Sequence, residues 1–281
     1  MTVTDDAQFL QLVHKNKLTA SLKSYCDTLL FYYFGHLAAV HTPGDFLEIG
    51  VGGSTYPLCE LSQIHNRYFN IIDNDQIRLE TFSKNPYYSF EKHVPFVIDS
   101  QQLPMQNNIN ELAYCHVDGN KNYKVTISDL KFCLTKLAVN GVICQDDYGN
   151  NKWPSVTDAV QDLINLGRLQ TLVVGDSSIW LTKPEYYQFW IDLFNSDYEF
   201  NLLGKFINLQ SSQKLDRTPL YLFMQSIDLA KNCNNQFLLS EMKYFKSLSK
   251  YDNSNYLKMP YARQSQAGVN VIPTNVSKYL F

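Results

Sequence analysis

Apolar positions divide this chain into three stretches of different period. Over residues 5–40 they recur at three- and four-residue steps (Phe9, Leu10, Val13, Leu18, Leu22, then Leu29, Leu30 and Phe34), which predicts helix. The turn His41-Thr42-Pro43-Gly44 then breaks the pattern. From Asp45 onward short apolar runs alternate with longer helical ones, the signature of βαβ units. Strands are predicted at Asp45–Ile49, Phe69–Ile72, Pro95–Ile98, Leu112–Val117, Gly141–Cys144, Leu169–Val174 and Ser178–Leu181. Helices are predicted at Tyr56–Ile64, Asp75–Ser83, Tyr123–Leu137 and Ser155–Leu166. Only Gly175-Asp176-Ser177 separates the last two strands, too little for a crossover, so they should form an antiparallel hairpin after five parallel strands.

Beyond Lys183-Pro184 the period changes again. Aromatic-rich helical segments such as Tyr186–Phe194 and Leu220–Ala230 occupy residues 185–250, and a tail rich in Asn, Ser and Tyr runs from Tyr251 to Phe281. The chain therefore reads as a helical extension (1–43), an α/β domain (44–184) and a helical or irregular extension (185–281), the last serving as a lid or an oligomer contact. The expected fold class is α/β, a doubly wound, Rossmann-like sheet.

Composition narrows the function classes. With 45% hydrophobic and 18% charged residues the 281-residue chain is globular, and a net charge of -3 argues against a nucleic-acid partner. No apolar run reaches membrane-spanning length; Leu29–Val40 comes nearest and is interrupted by Gly35 and His36. The opening MTVTDDAQF is acidic and polar, the wrong start for a secretory signal. None of the six cysteines (26, 59, 115, 133, 144, 233) forms a CxxC pair, so they read as free thiols in a reducing compartment and the protein as cytoplasmic.

Candidate chemistry gathers at predicted strand ends, where open α/β sheets bind ligands. Phe46-Leu47-Glu48-Ile49-Gly50-Val51-Gly52-Gly53-Ser54 is a strand running into glycines, then a residue able to cap the next helix. Glycine suits a sharp turn or a close ligand approach, and the helix amino terminus favours an anion. The GxG lacks the third glycine of a dinucleotide fingerprint, since Thr55 stands three places past Gly52. Asp73 ends the second strand, where a carboxylate can accept from both ribose hydroxyls; Asp75 competes for that role, and either could instead cap a helix. Asp99 and Ser100 follow the third strand. Asp118, Asp146 and Asp147 follow the fourth and fifth; three clustered carboxylates repel unless a cation sits between them or some are protonated, and an all-oxygen set suits Mg²⁺ or Ca²⁺ better than zinc. The alternative is that Asp146 caps a loop and Asp147 alone serves the ligand. His116 shares a strand face with Asp118, either as a base or as a satisfied core residue. The aromatic runs Phe31–Phe34 and Tyr186–Trp190 read as packing.

Taken in order, FLEIGVGGS, the acid of NIID, VIDS, HVDGNKNY and GVICQDDYG followed by WPSVTDAV resemble class I S-adenosylmethionine-dependent methyltransferases, most closely the macrocin-type sugar and natural-product O-methyltransferases. The resemblance spans residues 44–184, about half the chain, and implies a seven-stranded sheet whose last strand is antiparallel. It implies that Glu48, Gly50, Gly52 and Ser54 surround the methionine part of S-adenosylmethionine. Asp73 would hold the ribose, and Asp99 with Ser100 would meet the adenine. Asp118, Asp146 and Asp147 match the Mg²⁺ ligands of metal-dependent members, which aim a substrate hydroxyl at the methyl carbon, and the candidate base is Asp118 or a metal-bound hydroxide. Relatives often carry histidine where this chain has Lys121, which could act as a base only with a strongly depressed pKa. The implied substrate is a small polar hydroxyl compound. Two other readings stand beside it: an NAD-type oxidoreductase on the same sheet, in which Asp73 holds the ribose of NAD, and a cofactor-binding subunit without catalysis.

Overall fold

The computed structural model describes residues 25–194, apart from 85–87, 90, 107 and 175–176. Residues 5–24 of the helical stretch predicted over 5–40, the segment Leu220–Ala230 and the tail lie outside the described residues, as do Gly175 and Asp176 of the hairpin turn.

Helix α1 (Tyr25–His41) precedes strand β1 (Asp45–Ile49), which is followed by α2 (Thr55–Ile64), β2 (Phe69–Asp73), α3 (Gln76–Ser83) and β3 (His93–Val97). A 3₁₀ turn (Ser100–Met105) then leads to β4 (Leu112–Val117), α4 (Tyr123–Lys136), β5 (Leu137–Asp146) and α5 (Pro154–Asn165). The hairpin β6 (Gln170–Val174) and β7 (Ser178–Thr182), with α6 (Pro184–Phe194), completes the described chain. The seven strands form one sheet in the order β3-β2-β1-β4-β5-β7-β6. Strands β1 to β5 pair in parallel, and β7 runs antiparallel to both β5 and β6. The expected doubly wound sheet with an antiparallel last strand is therefore the observed one.

Two strands depart from their predicted limits for visible reasons. β5 begins at Leu137, four residues before the predicted Gly141, and its pairing with β4 jumps from Leu112↔Leu137 to Tyr114↔Val142. Asn140 takes a φ of 64°, and a Cβ on Gly141 would stand 2.9 Å from the Leu112 carbonyl oxygen. The irregularity breaks the two-residue alternation, so the pattern reveals only the second half of the strand. β3 spans His93–Val97 instead of Pro95–Ile98. Pro95 is tolerated because β3 is the sheet edge. His93 is buried with both ring nitrogens engaged, one by Ser62 Oγ (3.1 Å) and the other by the Ser89 amide (3.0 Å), so a polar letter here marks a strand start.

The core has a layer on each sheet face. On one, Phe31 and Phe34 of α1 pack against Trp180 of β7, with ring centroids 5.4 and 5.6 Å away, and Trp180 Nε1 donates to Tyr114 Oη. Trp190 of α6 is fully buried beside Phe34. Phe31, Phe34 and Trp190 of the two aromatic runs thus serve packing, as expected of these runs. Gly35 lets α1 approach α2, since a Cβ there would lie 2.7 Å from Leu61 Cδ1. On the other face Leu130 and Cys133 of α4 and Val160 and Leu163 of α5 pack with Ile49, Cys115, Ile143 and Ile179. Cys59, Cys115, Cys133 and Cys144 are buried free thiols. Among the described residues no helix is long and apolar enough to cross a membrane.

Candidate functional site

Parallel strands end on one rim, and the fold brings residues from the ends of β1 to β4 around one cleft there. Its walls include Ile49, Gly50, Asp73, Asp99, Ser100, Asp118, Gly119 and Asn120, and its volume is about 260 Å³. Of the residues expected at the cofactor, Gly50, Asp73, Asp99 and Ser100 thus share one cleft with Asp118. Glu48, Gly52 and Ser54 are not among its lining residues.

Gly50 is dictated by the backbone. Its φ is 93°, and a Cβ there would stand 2.3 Å from the Asp118 carbonyl oxygen, so the turn after β1 lies directly on the turn after β4. Gly52 is under no such constraint, because its Cβ would meet only Asp118 Oδ2 at 3.5 Å. The protein's own packing leaves room for a side chain at Gly52, on the side that faces Asp118.

The acids after β2 divide their work. Asp73 Oδ2 accepts from the Val51 amide (2.9 Å) and Oδ1 from the Asp75 amide (2.8 Å), tying the glycine turn to the end of β2. Each oxygen keeps lone-pair capacity for a further donor. Asp75 is the helix cap, accepting from the amides of Ile77 and Arg78. Asp99 likewise caps the 3₁₀ turn through the Gln101 amide.

Ser54 does not cap α2, contrary to expectation. It lies in helical geometry without a capping bond, and its hydroxyl donates instead to Glu48 Oε1 (2.6 Å). The same oxygen accepts from His116 Nδ1 (2.9 Å), whose residue pairs with Glu48 across β1 and β4. Glu48 and His116 are both buried, and Phe31 meets the imidazole edge-on at 4.7 Å. Burial works against a charged imidazole, but the Glu48 carboxylate outweighs it and holds the His116 pKa above its ordinary value. His116 is thus a core residue one step below the rim, bonded to Glu48 at Nδ1, while its Nε2 and Glu48 Oε2 are buried without a hydrogen-bond partner among the described residues, so the imidazole is satisfied on one side only.

The three rim aspartates converge: one carboxylate oxygen from each of Asp118, Asp146 and Asp147 lies within 4.8 Å of the others. Successive strand residues point to opposite faces, and the chain turns at Asp147, which adopts a left-handed φ of 56° just past the end of β5. Ser178 Oγ donates to Asp146 Oδ1 (2.8 Å), and Asn150 Nδ2 donates to Asp147 Oδ1 (2.7 Å). Burial, then the charge of Asp146, pushes the Asp118 pKa up to about 6, while His116 and Lys121 pull the other way.

Lys121 completes the cluster. Its ammonium donates to Asp118 Oδ1 and to Asp147 Oδ2, the latter at 2.9 Å. Burial opposes its charge, yet the two carboxylates hold its pKa above the ordinary value, the reverse of what a lysine base requires. As donors, three carboxylates suit a hard dication. The ammonium on two of them already plays the part of one.

Sequence reasoning missed Asp129. This α4 carboxyl is buried, next to Ser100 and 3.2 Å from where a Gly119 Cβ would stand, behind the cleft wall. Burial first, and the charge of Asp99 next, push its pKa up to about 7, with Ser100 easing the shift. An aspartate in the apolar stripe of a helix was the available signal.

No protein-family model matches the sequence, and a comparison with curated proteins finds no match. Solved structures with a similar arrangement include the O-methyltransferase NovP, at 16% identity and a TM-score of 0.47 over 63% of this chain and 99% of that one. Another is CalS11, a TDP-rhamnose 3'-O-methyltransferase of calicheamicin biosynthesis, at 16% identity and 0.46 over 63% and 93%. A third is an O-methyltransferase from Bacillus cereus in complex with SAH, at 13% identity and 0.45 over 64% and 90%. At these scores the fold assignment rests on the strand order itself.

Proposed function

We propose that this protein is an S-adenosylmethionine-dependent methyltransferase that modifies a hydroxyl group of a small polar molecule, a sugar or another natural product. The observation that carries the reading is the single cleft shared by Gly50, Asp73, Asp99, Ser100 and Asp118, which adjoins the three-aspartate cluster. One half of the site has the groups for a nucleoside and the other the groups for a hydroxylated acceptor.

In this reading Asp73 accepts from the ribose hydroxyls, Asp99 and Ser100 border the adenine, and the turn at Gly50 and Gly52 leaves its main chain open to the methionine part. S-adenosylmethionine, when bound, would supply a methyl group on a sulfonium, its C–S bond breaking as the acceptor oxygen bonds to the methyl carbon in line and S-adenosylhomocysteine leaves as the thioether. Asp118 stands where nucleoside cleft and aspartate cluster meet, so its carboxylate takes the acceptor's proton and orients the oxygen. Mg²⁺ held by Asp118, Asp146 and Asp147 would lower the pKa of the acceptor hydroxyl. Glu48 and His116 hold the β1 and β4 ends at the fixed spacing that the cleft requires.

The sheet weighs against the oxidoreductase alternative. Dinucleotide folds of this order run 3-2-1-4-5-6 with parallel strands, whereas here antiparallel β7 is inserted between β5 and β6. Calorimetric titration of S-adenosylhomocysteine into the full chain, with NAD as a parallel titrant, tests the reading. Micromolar binding of the first and none of the second is expected. NAD binding without S-adenosylhomocysteine binding would overturn it.

A further inference from the structure

Lys121 has a role at the rim that the proposed reaction leaves unused, and the inference below rests on that reading only for the identity of the site. The observation is one of cation placement. Asp118, Asp146 and Asp147 each offer an oxygen to a common point, yet the Lys121 ammonium donates to two of these three residues. It does so from within the chain, since Lys121 follows Asp118 by three residues in the loop between β4 and α4. That loop is fastened: Asn120 Oδ1 accepts from the Asn122 amide, Asn122 Oδ1 from the Lys124 amide, and the Lys121 carbonyl from Ser155 Oγ of α5 at 2.7 Å. Lys121 is buried enough to hold its ammonium in place, its side chain being 15% exposed.

We propose that Lys121 is a built-in competitor for the dication at the three-aspartate rim, a tethered counter-ion that a metal must displace from Asp118 and Asp147 in order to bind. Like charges a few Å apart repel strongly where water is partly excluded, so the ammonium and a dication cannot share these two carboxylates without loss. The tether also changes the free site, because carboxylates that would otherwise repel one another are already neutralised in part.

The test is direct binding of Mn²⁺ alone, followed by electron paramagnetic resonance of the free ion. It uses the full-length wild type, Lys121→Met, which keeps the chain length without the charge, and Lys121→Arg, which keeps the charge. Lys121→Met is expected to bind Mn²⁺ at least tenfold more tightly than the wild type, and Lys121→Arg to bind as weakly as the wild type. Asp147→Asn in the Lys121→Met background should abolish the gain, which ties it to the rim. Equal Mn²⁺ affinity in wild type and Lys121→Met, weaker binding in Lys121→Met, or no binding in either would overturn the proposal. S-adenosylhomocysteine titration of the same variants keeps the outcomes apart: its binding intact with unchanged Mn²⁺ affinity defeats the competitor role alone, while its absence from the wild type defeats the methyltransferase reading.

Discussion

Replacing Asp73 with alanine should damage both stability and cofactor binding, by amounts that can be measured separately. The carboxylate is buried and receives two main-chain amides, those of Val51 and Asp75. Removing it leaves both donors without their partner, at a cost of about 1–3 kcal/mol for each donor kept from water. Residues 51 and 75 are half-buried, so water can reach them and the low end applies, about 2 kcal/mol in all. For a domain of this size that is roughly 4–8 °C in melting temperature. The second loss concerns the ligand. Two ribose hydroxyls donating to an ionised carboxylate contribute about 1.5 kcal/mol each at the low end, together roughly a hundredfold in affinity. Thermal unfolding of the free protein reads the first quantity and calorimetric titration of S-adenosylhomocysteine the second. Asp75→Ala is the control, losing about 1 kcal/mol of helix capping with little change in affinity. If Asp73→Ala melts lower yet binds S-adenosylhomocysteine within threefold of the wild type, Asp73 is only a staple between two loops. The assignment of the ribose would then be wrong.

Three further outcomes follow from the same geometry. Gly50→Ala should fail to accumulate as folded protein or melt at least about 6 °C lower, about 3 kcal/mol or more from backbone strain and the clash with the Asp118 carbonyl, whereas Gly52→Ala should fold normally and lose S-adenosylhomocysteine affinity; equal melting points would contradict the contact. Asp129, with a folded pKa of about 7 against an ordinary 3.8, binds its proton more tightly when folded, so its contribution is complete below pH 4 and lost as pH rises through 7, at most roughly 4 kcal/mol; denaturant unfolding at pH 5 and pH 8 should show the fall in the wild type and a flatter profile in Asp129→Asn. If the ionised Asp118 takes the acceptor's proton, kcat/KM in metal-free buffer should rise about tenfold per pH unit up to about pH 6 and then level, and a profile flat from pH 5 to 7 would remove Asp118 from that role.

The sheet was legible because its strands are short, apolar and bounded by glycine, acid or proline, and β1 and β4 match their predicted limits residue for residue. What periodicity cannot express is a break in alternation, which hid half of β5, or a buried polar residue, which hid the start of β3 at His93. The rim acids were legible for a topological reason: parallel strands deliver their last residues to one edge, so Asp73, Asp99, Asp118 and Asp146 converge whatever lies between them. Partners were less legible than positions. Ser54 was expected to cap a helix and serves Glu48, because the choice between a free amide and a carboxylate six residues back depends on a three-dimensional approach. The bond of Lys121 to Asp147 joins residues 26 positions apart and leaves no mark on spacing. Asp129 was missed because a buried acid is spelled like an exposed one.

The antiparallel strand explains why the part of the rim around Asp146 differs from the part around Asp73. A parallel strand brings its end to the carboxyl rim, but β7 runs the other way and brings its beginning. Its first residue, Ser178, therefore stands opposite Asp146, the last residue of β5, and donates to it. The same reversal fixes the far edge, where Thr182 Oγ1 donates to the Gly141 carbonyl beside the irregular turn of β5. A parallel strand in that position would place a crossover loop above Asp146 and offer no hydroxyl in register with it. On the Asp73 side, by contrast, the carboxylate is held by loop amides and stays open to the cleft. One half of the rim is thus held from the main chain and shaped to accept donors. The other is held from side chains, with Ser178, Asn150 and Lys121 each fixing an aspartate, and its charge balance changes with whatever cation or hydroxyl enters. In the methyltransferase proposed above, recognition of a constant nucleoside and handling of a proton on a variable acceptor would make those two different demands.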